Sequence, residues 1–194
     1  VISEVGFDVV VVDDCSTDKT REVSLVSGAS VVSLTKNCGY NTALHCGIKY
    51  AGENGYSHAI TIDADGQHPT ELISVFVKRF SEGFPFVFGK REHVARWAEK
   101  VFSSYTYTRY GLSDPLCGMK GYDLDILASF GGFPNYDSTG TEILLWVLSS
   151  GFSWTQVDIN KVERDGPSKF GEGLKPNLTI LRALCRGVNR ARKY

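Results

Sequence analysis

Two short acidic stretches hold the residues best suited to chemistry. Asp13 and Asp14 end the valine run of "VVVVDDCSTD" (residues 9–18), and Asp63 and Asp65 stand one residue apart in "ITIDADGQHP" (residues 60–69). Two carboxylates separated by one residue on a tight loop can both offer hard oxygen to a divalent cation. Mg²⁺ and Mn²⁺ commonly bind through one or two carboxylates plus substrate phosphates. Gln67 adds a neutral oxygen two positions on. Taken singly, an Asp-x-Asp pair also caps helices and stabilises turns, so the two stretches gain meaning from their joint occurrence at strand ends.

The elements that must position these acids follow from periodicity. Residues 7–13 read as a strand and 19–27 as a helix capped by Thr17 or Asp18. Residues 30–34 read as a second strand. "NTALHCGIKYA" reads as a helix whose Ala43, Gly47 and Ala51 give a smooth face for close approach to a sheet. "HAITIDADGQHPTEL" reads as strand, acidic loop and helix start, with Pro69 tolerated in the first helical turn. "FPFVFGKR" is the next strand. Residues 93–110 form a longer helix with Val94, Trp97, Val101 and Tyr105 on one side and Gly111 as its stop. A strand-to-helix segment from Cys117, a helix over 140–150 and a strand "SWTQVDI" complete the chain. Strands alternating with helices predict an α/β fold, a mostly parallel sheet flanked by helices in a single domain, with both acidic motifs on the edge at the strands' carboxyl ends.

Composition narrows the function classes. With 194 residues, 21 basic against 22 acidic side chains and 42% hydrophobic residues, this is a globular chain with no global field to recruit nucleic acid. Five cysteines lack the spacing of a zinc site or a disulfide scaffold, which predicts a reducing, intracellular setting; Cys15 and Cys117 are assigned to packing. No signal peptide or membrane-spanning run is visible. After Glu172 every charged side chain is basic, and residues 173–194 read as a basic amphipathic tail beyond a domain over 1–172.

Five segments, "VVVVDDCSTDKT", "NCGYNTALHCGIKYA", "ITIDADGQHPTEL", "DPLCGMKGYD" and "ERDGPSK", come in an order and spacing that resemble family 2 glycosyltransferases of the GT-A, Rossmann-like fold. The likeness is greatest to the polyprenyl-phosphate and dolichyl-phosphate-mannose-synthase-like branch. It implies inverting, metal-dependent transfer of a sugar from a UDP- or GDP-sugar donor to a lipid-phosphate acceptor, with Mg²⁺ or Mn²⁺, at the cytoplasmic face of a membrane.

By the same likeness Asp14 reads the nucleobase, Asp13, Asn37 and Asp63 complete the nucleotide site, and Asp63, Asp65 and Gln67 hold the metal. Arg164, Ser168 and Lys169 match a flexible phosphate clamp, and Arg91 and Arg96 fall where that branch keeps acceptor arginines, although a salt-bridged surface is an equal reading. Asp65, Arg164, Asp114 and Glu142 are the candidate catalytic residues. A hydroxyl acceptor would need Asp114 or Glu142 as its base, whereas an ionised phosphate needs none. His68, before Pro69, suits a capping or supporting role.

Three other readings compete: a glycosyltransferase acting on a hydroxyl of a cell-envelope glycan, a sugar-phosphate nucleotidyltransferase, and a non-catalytic nucleotide-sugar binder. The second calls for a Gly-rich phosphate loop that this sequence does not show, and the intact acids argue against the third. Family members also begin with a strand ending in a "P-x-Y-N-E"-like segment, which is not seen here.

Overall fold

The computed structural model describes residues 7–92, 96–129, 139–160 and 174–191. Arg164, Ser168 and Lys169 lie outside the described residues. The chain groups into two compact units, Val1–Ala59 with Tyr122–Thr139, and Ile60–Gly121 with Gly140–Tyr194.

In the first unit the valines, stiff at χ1 and suited to a pleated surface, form strand β1 (Val10–Asp13). It pairs in parallel with β2 (Ser30–Ser33), Val10 opposite Ser30 and Asp13 opposite Ser33. Helix α1 (Thr20–Val26) connects them; its N-cap is Lys19 with no side-chain cap bond, so neither Thr17 nor Asp18 holds the expected position, and Asp18 instead closes a turn before the helix, its Oδ1 accepting the Thr20 amide at 2.9 Å. Helix α2 (Tyr40–Glu53) packs on β1 through the expected small face: a Cβ on Gly47 would stand 3.1 Å from Val12 Cγ2, and Ile48 and Ala51 are buried.

A second sheet has the order β3 (His58–Thr61), β5 (Lys120–Asp123), β4 (Phe86–Arg91), β6 (Trp154–Ile159), with β4 parallel to β6. The expected α/β architecture with parallel pairing holds, but the strands form two ladders. Asp123 Oδ1 caps the short helix α5 (Leu124–Ala128) by accepting the Ile126 amide at 2.9 Å.

In the second unit helix α3 (Leu72–Ser81) lays Phe76, Leu72, Ile73 and Phe80 on a core of Val87, Cys117, Met119, Val157 and Ile159. Fully burying one such large side chain contributes about 2 kcal/mol. Helix α6 (Thr139–Ser149) is apolar nearly all round and buries Ile143 through Leu148.

Helix α4 (Trp97–Tyr110) corrects the sequence reading. Its buried side is Ala98, Phe102 and Thr106, while Trp97 and Val101 of the expected apolar side are 49% and 46% exposed. The side of α4 that is buried is set by what packs on it, and its partner is helix α7 (Leu174–Ala191), whose Asn177 side chain accepts the Ala98 amide. Helix α7 buries Asn177, Ala183 and Gly187, the last against Leu145 of α6. On α7, Leu178 and Cys185 are exposed and Leu181 and Val188 half-buried.

Gly89 is where the sheet is tightest. A Cβ there would meet Ile159 Cδ1 at 2.3 Å, Cys117 Sγ at 2.8 Å and the Met119 carbonyl at 2.9 Å. Gly89→Ala should therefore destabilise the fold by about 3 kcal/mol through overpacking. That is a drop of roughly 6–12 °C in Tm for a chain of this size, read by thermal denaturation. An unchanged melting point would contradict this packing.

Candidate active site

In the first unit Asp13 is buried at the end of β1. Its Oδ1 accepts the Ser16 amide at 3.0 Å, and the Ser16 hydroxyl and amide hold its carboxyl below the usual carboxylate value. Asp14 spans to the next loop: Oδ1 accepts the Cys38 amide at 2.7 Å and Oδ2 the Gly39 amide at 2.8 Å. Between the acids and Ser16, Cys15 takes a left-handed φ of 61°, which turns the chain sharply after Asp14. Gly39, at φ 84°, makes the corresponding turn into α2. Asp14 thus fixes the loop carrying Asn37, which is exposed beside Cys38.

In the second unit the loop after β3 alternates. Asp63, Asp65 and Gln67 are half-buried, while Ile62, Ala64 and Gly66 are exposed. Asp65 Oδ1 accepts the Gln67 amide at 3.1 Å across Gly66, which supplies φ 76°. His68, buried just before Pro69, accepts the Asp63 amide at 3.0 Å through Nδ1. This supporting bond requires an imidazole whose Nδ1 carries no proton.

Behind Asp63 stands Gly118: a Cβ there would lie 2.3 Å from Asp63 Oδ2 and 2.9 Å from Oδ1. The donors are all oxygen, which fits a hard divalent cation. Among the described residues no group of three or more His, Cys, Asp or Glu side chains is arranged to hold a metal by itself.

Farther along, Asp114 and Arg91 form a bidentate pair, Nε to Oδ2 at 2.7 Å and Nη2 to Oδ1 at 2.6 Å, and the Arg91 amide adds a bond to Oδ2 at 2.9 Å. Arg91 Nη2 also reaches Glu99 Oε2 at 3.3 Å, and Arg96 Nη1 reaches Glu99 Oε1 at 2.8 Å. Asp114 and Glu99 are both 4% exposed. Burial alone would lower the guanidinium pKa of Arg91, but the Asp114 bonds and charge outweigh it and raise it. Arg91 and Arg96 are thus joined through Glu99 in one ion-paired network.

Lys120 lies buried at the start of β5 with Nζ donating to the Cys117 carbonyl. Burial pushes its pKa down, opposed by the charges of Cys117, Asp114 and Asp63. Burial likewise pushes the Cys117 thiol up, the condition of a packed rather than a nucleophilic cysteine. Glu142 is buried on α6.

Sequence reasoning did not single out Glu99, Lys120 or Gly118. Lys120 had only a weak signal, a charged residue between Met119 and Gly121 at the start of a strand, and Glu99 stands three residues after Arg96, ion-pair spacing on a helix. Gly118 had none, because its partner is 55 residues away in sequence.

The chain matches the Glycosyl transferase family 2 profile over residues 4–110. It is 40% identical over 189 residues to an uncharacterized protein of Methanocaldococcus jannaschii, covering 90% of this chain and 78% of that protein. It is 29% identical over 185 residues to the polyprenol monophosphomannose synthase of Mycolicibacterium smegmatis, covering 84% of this chain and 69% of the other. Among solved structures, the glucosyl-3-phosphoglycerate synthase of Mycobacterium tuberculosis, in complex with Mn²⁺, UDP and phosphoglyceric acid, aligns with a TM-score of 0.70. The identity there is 18%, over 93% of this chain and 67% of that one. The chain spans from 25% to 84% of the length of the curated relatives it matches. The protein belongs to glycosyl transferase family 2 and has the α/β fold of GT-A glycosyltransferases.

Two substitutions test the geometry. Gly118→Ala puts a methyl where the Asp63 carboxylate lies, and a displacement of about 1 Å there should cost on the order of 100-fold in sugar-transfer turnover. Circular dichroism should show the fold retained, and turnover equal to wild type would contradict the contact. Asp14→Ala frees the Cys38 and Gly39 amides and should raise the donor KM with kcat little changed; a pure kcat loss would place Asp14 with the reacting atoms.

Proposed function

We propose that this protein transfers a sugar, with inversion, from a UDP- or GDP-sugar to the phosphate of a polyprenyl lipid. The observation that carries the acceptor assignment is the Arg91–Asp114 pair. Both Asp114 oxygens are engaged by one guanidinium, so this side chain is committed to the pair. A phosphate monoester is already ionised and needs no base, so its oxygen can attack the anomeric carbon as the bond to the diphosphate breaks. The competing acceptor, a sugar hydroxyl, would require Glu142 as base.

Asp63, Asp65 and Gln67 would hold a Mg²⁺ or Mn²⁺ ion, which when bound supplies positive charge beside the leaving diphosphate. The solved relative binds Mn²⁺ and UDP, in keeping with this reading. Asp14 orders the nucleoside loop, Asp13 fixes the turn before it, and Arg164, Ser168 and Lys169 are assigned to the phosphates. The domain reading keeps 1–172 as the transferase body. The basic C-terminal tail is assigned to a cytoplasmic membrane face, in line with the exposure of Leu178, Arg182 and Arg186.

The test offers UDP- and GDP-sugars with Mn²⁺ and either a short-chain polyprenyl monophosphate or the corresponding polyprenol. The expected product is the phosphate-linked sugar lipid, lost on Asp65→Ala and in excess chelator with the fold intact. Transfer to the polyprenol but not to the phosphate, or full activity in chelator, would overturn the reading.

A further inference from the structure

Helices α4 and α7 turn large apolar side chains away from the core. Trp97, Val101 and Tyr107 on α4 are 49%, 46% and 64% exposed, and Leu178 on α7 is 49% exposed. At 100° per residue, Trp97, Val101, Ser104 and Thr108 fall along one line of α4, with Lys100 and Tyr107 at its side. The inner face needs none of them, because Ala98, Phe102 and Thr106 already fill it. The two helices are tied where the Ala98 amide donates to Asn177 Oδ1 at 3.1 Å, and Trp97 and Leu178 are the exposed residues next to that bond in sequence.

Charge selects the partner. Lys100 on α4 and Arg182 and Arg186 on α7 are exposed, whereas Arg109, also exposed, lies about 120° round α4 from Trp97. The two helices contain a single acid, Glu99, and it is buried between Arg91 and Arg96. An outward face with tryptophan, tyrosine and aliphatic side chains, several cations and no anion matches the interface of an anionic bilayer, where the rings sit at headgroup level. Among the described residues no helix is long and apolar enough to cross a membrane, so the contact would be interfacial.

We propose that the outer faces of α4 and α7 form one membrane-docking surface, with Trp97 as its anchor, that seats on anionic lipid. This extends the assignment of the tail to a membrane and rests on it, but places half of the contact on α4, within the transferase body.

The experiment uses the full chain with vesicles of phosphatidylcholine alone or of phosphatidylcholine with phosphatidylglycerol, read by sedimentation and tryptophan fluorescence. Trp146 and Trp154 are already buried or half-buried, so Trp97 is the reporter. Anionic vesicles should shift the emission to the blue, and Trp97→Phe should abolish the shift while binding persists.

Trp97→Ser with Val101→Ser should weaken partitioning about tenfold, and Arg182→Gln with Arg186→Gln by roughly fivefold per charge, less at high salt. Melting temperatures should hold, since these side chains are outside the core. If the Trp97→Ser/Val101→Ser variant binds like wild type while Leu178→Ser/Cys185→Ser loses binding, the α4 inference falls and the tail reading stands. Binding to neither vesicle overturns both, leaving sugar transfer to its own assay. A wild-type dimer dissociated by the α4 substitutions, with no vesicle binding, would assign the surface to a second copy.

Discussion

The Asp63 carboxylate lies against the Cα of Gly118, and the second unit's candidate site is arranged around that contact. Gly118 is needed for its lack of volume, since a methyl there would overlap both carboxylate oxygens. The approach is possible because β3 and β5 are neighbours in the sheet, and it is fixed by Thr61, whose hydroxyl donates to the Gly118 and Lys120 carbonyls at 2.9 and 3.3 Å. The Lys120 ammonium then ties β5 back to the Cys117 carbonyl. The acidic loop and the "DPLCGMK" segment are thereby one mechanical piece.

That segment begins at Asp114, a non-glycine residue at φ 47°. A left-handed residue costs roughly 1–2 kcal/mol, and aspartate is among the few side chains that tolerate it. Three bonds from Arg91 hold it, and Gln156 holds its neighbour on both sides, accepting the Ser113 amide at 3.0 Å and donating to the Ser113 carbonyl at 2.6 Å. Removing one partner of a buried ion pair costs about 3–5 kcal/mol, because it leaves the other charge buried and unpaired, and that exceeds the strain. The backbone conformation therefore persists because the pair forms, and the pair orients the chain that delivers Gly118.

What was legible in the sequence was local. Asp13, Asp14, Asp63 and Asp65 could be found because they end β-branched runs and sit in turns that only a few residue types allow, and Gly47 and Ala51 could be placed by their four-residue spacing. The Asp63–Gly118 contact and the Asp114–Arg91 pair were not legible, because sheet order, and not sequence distance, makes them. The misreading of α4 has a different cause. Periodicity finds the apolar stripe of a helix, but which stripe is buried depends on the partner. Helix α7 packs on α4, tied to it by the Asn177 side chain at the Ala98 amide, and the side of α4 that this leaves buried is Ala98, Phe102 and Thr106, with Trp97 outside.

The second unit also separates its carboxylates by electrostatic commitment. Asp114 and Glu99 are buried and matched to guanidinium groups, which repays part of their desolvation. Asp63 is held by a glycine and by an imidazole bonded to its own amide, and neither contact neutralises the carboxylate. Its electrostatic coupling to Lys120 comes without an ion pair, because that ammonium is turned to the Cys117 carbonyl. A half-buried carboxylate with no ion-pair partner among the described residues is one that a cation would stabilise, so the geometry that leaves Asp63 unpaired there is also what would give it affinity for one. A lysine moved within bonding distance of Asp63 would compete with any cation for that carboxylate.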